Sequence, residues 1–132
     1  MSTSTAAVKA STDETITVTA ARELPDKHLV FAGIGLSTLA VSLAQETTSP
    51  RLEVIDESGV TGAHPSHPPA TIADSVLITD AEGVLTLPAL FRYVLQGGRI
   101  DVADDLQTIP APSAAEVATL RTEIDPQGVY LR

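Results

Sequence analysis

Asp56-Glu57-Ser58-Gly59 has the makings of a reactive corner. It directly follows the apolar run Leu52–Ile55, whose β-branched content suits a strand. A carboxylate leaving such a strand has its main chain positioned by the sheet. Gly59 permits the sharp turn that displays it, and backbone N–H groups in a turn can stabilise an anion. Partial burial would tune Glu57 as a base or a nucleophile. Asp56 points to the opposite side if the strand persists, so a paired-carboxylate mechanism is not implied. On spacing alone, a solvated acidic turn is the plainer account of these four residues.

Gly33-Ile34-Gly35-Leu36-Ser37-Thr38 carries part of a phosphate-loop pattern. Thr38 stands where a dinucleotide fingerprint has its third glycine, so a tight strand-to-helix turn is the better reading. The N-terminus of the following helix could still hold a carboxylate or phosphate. His64 and His67 are three residues apart, but a proline-rich loop does not hold that spacing as a helix would. With no cysteine in the chain, no metal site is expected. No serine sits in a Gly-x-Ser-x-Gly elbow, so a serine-hydrolase triad has no support. Arg99 and Asp101 are near enough for a local ion pair, with plain solvation the simpler reading.

The elements that must position these residues follow from periodicity. Met1–Thr15 is rich in Ser, Thr and Ala and is read as a loose tail without the apolar core of a secretory signal. Ile16–Val18 starts either a short strand or a helix to Glu23. Leu29–Ala32 is a near-continuous apolar run, as in a parallel strand covered on both faces. Leu36, Leu39, Ala40, Leu43 and Ala44 recur at helical spacing, with Ser37 or Thr38 as cap. Leu52–Ile55 is a second strand, residues 56–73 a long loop, Ser75–Ile78 a third strand, and Arg99–Val102 a fourth. A helix opens near Pro88 and ends at Gly97-Gly98. Ser113-Ala114-Ala115-Glu116 is a capping box, and Val117, Leu120 and Ile124 form one stripe on the last helix.

Strands alternating with helices predict an α/β fold: a small open, mostly parallel sheet flanked by helices, in one domain over residues 16–132. Ligands of such sheets sit beyond the carboxyl ends of the strands, where Gly33–Leu36 and Asp56–Gly62 begin. Four short strands leave an edge or face that another subunit would cover. With 8 Lys and Arg against 17 Asp and Glu, the net charge is −9, which argues against nucleic acid and anionic membrane as partners. A hydrophobic content of 43% excludes a disordered chain. The longest apolar stretch, Leu29–Ala44, is too short for a membrane span. The cytoplasm is the default compartment.

Three segments carry a resemblance: Phe31-Ala32-Gly33-Ile34-Gly35-Leu36, the stretch from Pro50 through Glu57-Ser58-Gly59 to Ala63, and Leu95-Gln96-Gly97-Gly98-Arg99-Ile100-Asp101-Val102. In this order and spacing the chain resembles the β subunit of family I CoA-transferases, of the glutaconate and 3-oxoadipate kind. The tail from Ala111 to Val129 resembles that subunit's C-terminus. The resemblance implies that Glu57 attacks an acyl-CoA thioester and that Gly33, Gly35, Ser58 and Gly59 shape the acyl site. It implies an α-like partner subunit, no bound cofactor, and a coenzyme A thioester as substrate. Family members continue after the Ile-Asp-Val strand with a glycine-rich segment associated with CoA binding and the oxyanion hole. Here Val102 runs almost directly into the tail, so the fold expected is that of a CoA-transferase subunit lacking its centre. Two alternatives stand beside transfer: a repurposed hydrolase- or lyase-type subunit using Glu57 as general base, and a non-catalytic partner that stabilises an α-like chain.

Overall fold

The computed structural model describes residues 8–103, 112–129 and 131. Residues 1–7 of the expected tail, and most of the polar stretch between Asp104 and Pro112, lie outside the described residues. Helix α1 spans Thr12–Arg22. It begins inside the segment expected to be a loose tail, because Ser11 and Glu14 form a capping box: Glu14 N–H donates to Ser11 Oγ at 3.2 Å and Ser11 N–H to Glu14 Oε2 at 2.8 Å. Strand β1 (Leu29–Ala32) leads into α2 (Leu36–Glu46), then β2 (Glu53–Asp56). Two-residue strands β3 (Val60–Thr61), β4 (Gly83–Val84) and β5 (Val102–Ala103) complete a five-stranded sheet in the order β4-β3-β2-β1-β5.

The longest ladder is parallel, β1 with β2; β5 also pairs with β1 in parallel, while β3 and β4 add an antiparallel margin. The chain is thus the small, flanked α/β sheet foreseen from its alternation. Individual strands differ from expectation. Ser75–Leu77 is a 3₁₀ turn, since the Asp74 carboxylate caps it by accepting from Val76 N–H at 3.1 Å. The sheet instead recruits Val60–Thr61 from the expected loop, because Gly59 adopts positive φ where the chain reverses straight after β2. Arg99–Val102 contributes only its last residue to β5. Asp101 makes no ion pair with Arg99 but accepts from Leu29 N–H at 2.8 Å, while its own N–H donates to Leu29 O at 2.9 Å, tying β5 to β1.

Thr86 caps a helix whose first turn, Leu87–Ala89, passes into a π-helical stretch, Leu90–Leu95. We call the whole α3. It closes where Gly98 takes φ +69° and donates to Leu95 O. Helix α4 (Ala114–Thr119), extended by the π-helical turn Leu120–Ile124, starts at the expected Ser113–Glu116 box.

The main core lies between β1 and the helices α1, α2 and α4, around the fully buried Val18, Val30, Leu39, Leu43 and Leu120. Aliphatic side chains build it, as the scarcity of aromatics requires. Two ion pairs clasp α1 and α4 together. Arg121 of α4 grips the buried Glu14 of α1 through Nε and Nη2, with Nη2 to Oε2 at 2.8 Å. Arg22 of α1 grips Glu116 of α4 at 2.9 and 2.6 Å. Bidentate pairs of this kind are the strong ones.

The clasp makes stability depend on pH. The Arg121 hydrogen bonds hold the Glu14 carboxyl below its ordinary value despite burial. Burial raises Glu116, and its bonds to Arg22 and Ser113 outweigh that, so it too is lowered. Both groups therefore contribute stability above the ordinary carboxyl value of 4.5, and that contribution fades as pH falls through their lowered folded values. Melting temperature should drop over that acid range. A Glu14→Gln/Glu116→Gln variant, less stable at neutral pH, should show a shallower fall. Parallel profiles for the two proteins would refute the clasp's role.

Candidate active site

Register brings the site together. In the β1–β2 ladder Ala32 lies opposite Asp56, so the carboxyl ends of the two strands coincide. The next residues, Gly33 and Glu57, therefore leave the sheet side by side. A Cβ at Gly33 would sit 3.6 Å from Glu57 Oε2, and Ile34 N–H donates to Glu57 Oε1 at 3.1 Å. The nucleophile candidate thus rests on the strand-to-helix turn and is exposed on its outer side.

That turn is held from within. Thr38 Oγ1 donates to Gly33 O at 2.8 Å, so its hydroxyl does not cap the helix. The N-cap is Gly35, at φ +129°, without a side-chain cap bond. This corrects the expected Ser37 or Thr38 cap: the turn needs a backbone that Gly reaches and Ser or Thr does not.

The second half of the site is the reversal between β2 and β3. Asp56 O accepts from Gly59 N–H at 3.0 Å, and Asp56 Oδ1 accepts from Ser58 N–H at 2.8 Å and from the Ser58 hydroxyl. Asp56 is buried, Glu57 exposed and Ser58 half-buried. Gly59 holds φ +91°, and its carbonyl accepts from Leu85 N–H at 2.8 Å. A Cβ there would lie 2.3 Å from Leu85 O, so the turn seats directly on the chain leaving β4.

All five expected site residues, Gly33, Gly35, Glu57, Ser58 and Gly59, lie on these two adjoining turns. Three supports escape a reading of the sequence: the Ile34 N–H, the Thr38 hydroxyl and the Leu85 main chain. Only Asp56-x-Ser58 is legible in principle, as an Asx-turn pattern. His64 and His67 are elsewhere and exposed. With Glu46 and Glu123 they border an open pocket of about 280 Å³. Among the described residues no three His, Asp or Glu side chains converge where they could hold a metal ion, and no helix is long and apolar enough to cross a membrane.

Glu57 is open to solvent on its exposed side. The arrangement offers an anchored carboxylate with free access, while the larger depressions among the described residues are walled by other side chains.

Comparison with known proteins bears on the fold and the family. The fold is shared with glutaconate coenzyme A-transferase of Acidaminococcus fermentans, at a TM-score of 0.62 and 20% identity over 74% of this chain and 39% of that one. It is shared equally with the decarboxylase AibA/AibB, at a TM-score of 0.62 and 22% identity over 88% of this chain and 57% of that one. In sequence, 92 residues are 48% identical to a 3-oxoadipate CoA-transferase subunit of Pseudomonas knackmussii, covering 70% of this chain. The chain spans only 35% of that relative's length. Residues 13–104, which include both turns of the site, match the family described as coenzyme A transferase. The chain is a member of the coenzyme A transferase family.

Proposed function

We propose that this chain is the glutamate-bearing, β-type subunit of a two-chain CoA-transferase-like enzyme acting on an acyl-CoA and a carboxylic acid. The observation that carries the reading is the seat of Glu57: a carboxylate at the carboxyl end of a parallel strand, anchored by Ile34 N–H at 3.1 Å and open on its other side.

The chemistry needs little more from this chain. A Glu57 oxygen attacks the thioester carbonyl carbon, the C–S bond breaks, and the CoA thiolate leaves a mixed glutamyl anhydride. The thiolate then attacks the glutamyl carbonyl, releasing the first acid as its carboxylate and leaving a glutamyl-CoA thioester. An incoming carboxylate reverses the two steps, and Glu57 is regenerated. No proton is stored at any stage, so a carboxylate without an adjacent base is sufficient.

A partner chain is part of the proposal because apolar surface is left uncovered. Val84, Leu87, Phe91 and Tyr93 are exposed, Tyr93 by 67%. Leu29, Ile55, Tyr93, Val94 and Arg99 border an open apolar depression of about 300 Å³. Residues 83–100 contain two arginines and no acid, in a chain of net charge −9. Exposed apolar surface of this kind marks an interface, and the arginines suit a partner with an acidic rim. The cytoplasm is the compartment we infer, from composition.

The test is covalent trapping. The chain, co-expressed with an α-type subunit, is incubated with an acyl-CoA and reduced with borohydride. Mass spectrometry should find Glu57 modified. Turnover without modification, abolished in Glu57→Gln, would support the general-base alternative instead. That alternative has an observation of its own, since a protein described as a decarboxylase shares the fold as closely as the transferase does.

A further inference from the structure

Asp56 is a carboxylate that the transfer steps do not use. It is 6% exposed, and burying a carboxylate is costly unless its oxygens are well bonded. Here the bonds are specific. Oδ1 accepts twice from Ser58, from N–H at 2.8 Å and from the hydroxyl, while the main-chain carbonyl accepts from Gly59 N–H at 3.0 Å. Every one of these bonds spans Glu57. The residue between them has its main chain clamped, whereas its carboxylate is fixed at the far end by Ile34 N–H.

The Asp56 side chain does not share the exposed side of Glu57. It is turned inward and lines a small void of about 30 Å³ with Thr38, Gln45, Ala63 and Leu77. An Asn would close the same turn with less desolvation cost.

We propose that Asp56 is a positioning residue for Glu57: through Ser58 it holds the Glu57 main chain so that the carboxylate stays against Ile34 N–H, aligned for attack. The proposal rests on Glu57 as the reactive group, and its test must separate the two.

Two readouts do so. The first needs no substrate. Hydrogen exchange at the Ile34 amide reports whether Glu57 is in place, with Glu57→Ala setting the unprotected limit. Asp56→Ala and Ser58→Ala should speed Ile34 exchange toward that limit. Asp56→Asn, which keeps an acceptor oxygen, and Ser58→Thr, which keeps the hydroxyl, should stay near the parent. The second is kinetic, in the assembled enzyme. Asp56→Ala should lower kcat and the rate of Glu57 modification by about 10- to 100-fold, as misplacement of a reacting group by about 1 Å does. KM should stay within about threefold, since the substrate's own contacts are untouched. Asp56→Asn should recover most of the loss.

Unchanged Ile34 exchange in Ser58→Ala would overturn the proposal, whatever the enzyme's activity. So would a lower melting temperature in Asp56→Ala with the parent's kcat per folded molecule. Where Asp56→Ala fails to fold, Ser58→Ala against Ser58→Thr decides on the exchange readout. A parent enzyme that turns over without modification at Glu57 would overturn the nucleophile reading, while the exchange experiment would still judge the clamp.

Discussion

Glu57→Gln should leave the protein folded and the reaction gone. The substitution keeps the size of the side chain and an acceptor oxygen for Ile34 N–H, so the turn and the core are undisturbed. It removes the negative oxygen that must attack the thioester. Loss of a covalent nucleophile costs on the order of 10⁴-fold or more in kcat, against a stability change of roughly 0.5 kcal/mol at most for an exposed position. The expected pattern is an unchanged melting curve, an unchanged association with the α-type subunit, and no covalent adduct. Glu57→Asp tests reach: a carboxylate one methylene shorter leaves the 3.1 Å contact with Ile34 N–H and should recover only a small part of the activity. A Glu57→Ala enzyme as fast as the parent would eliminate both catalytic readings and leave the non-catalytic partner role.

Gly59→Ala should be the most damaging single-methyl change in the chain's candidate site. Two independent penalties coincide there. A φ of +91° is a conformation that an alanine adopts only at a cost of about 1–3 kcal/mol. The new Cβ would also lie 2.3 Å from Leu85 O, a backbone atom held in place by the Leu85 N–H to Gly59 O bond at 2.8 Å. Something in the β2–β3–β4 margin must move. A destabilisation of about 3 kcal/mol or more is expected, lowering the melting temperature by roughly 10 °C. Activity should fall as well, because the moved strand carries the Glu57 turn with it. Gly33→Ala is the contrast. Its Cβ would meet Glu57 Oε2 at an ordinary 3.6 Å, so thermal unfolding should be nearly unchanged. Equal melting temperatures for Gly59→Ala and the parent would show that the turn is not the rigid mount inferred for Glu57.

Much of this molecule can be read along the chain because the signals are local. The apolar run Leu29–Ala32, the helical spacing from Leu36 and the Ser113–Glu116 box each specify a conformation through neighbouring residues, and each is found where expected. The α/β alternation then follows, and with it the rule that function lies beyond the strand ends. Glu57 stands out on that basis, from its strand and its glycine. The departures are equally physical. Ser75–Ile78 has strand-like composition, but the Asp74 carboxylate caps its first three residues into a 3₁₀ turn. Val60–Thr61 and Gly83–Val84 are too short to carry a pattern; the first is a strand because the turn at Gly59 delivers it to the edge of β2, and the second because it pairs with the first. Local residues thus decide which segments are helix and strand and which carboxylate is displayed. Only the tertiary structure decides that Ala32 stands opposite Asp56, and hence that the turn at Gly33–Ile34 meets Glu57, since strand register is a pairing between distant segments that neither segment encodes alone.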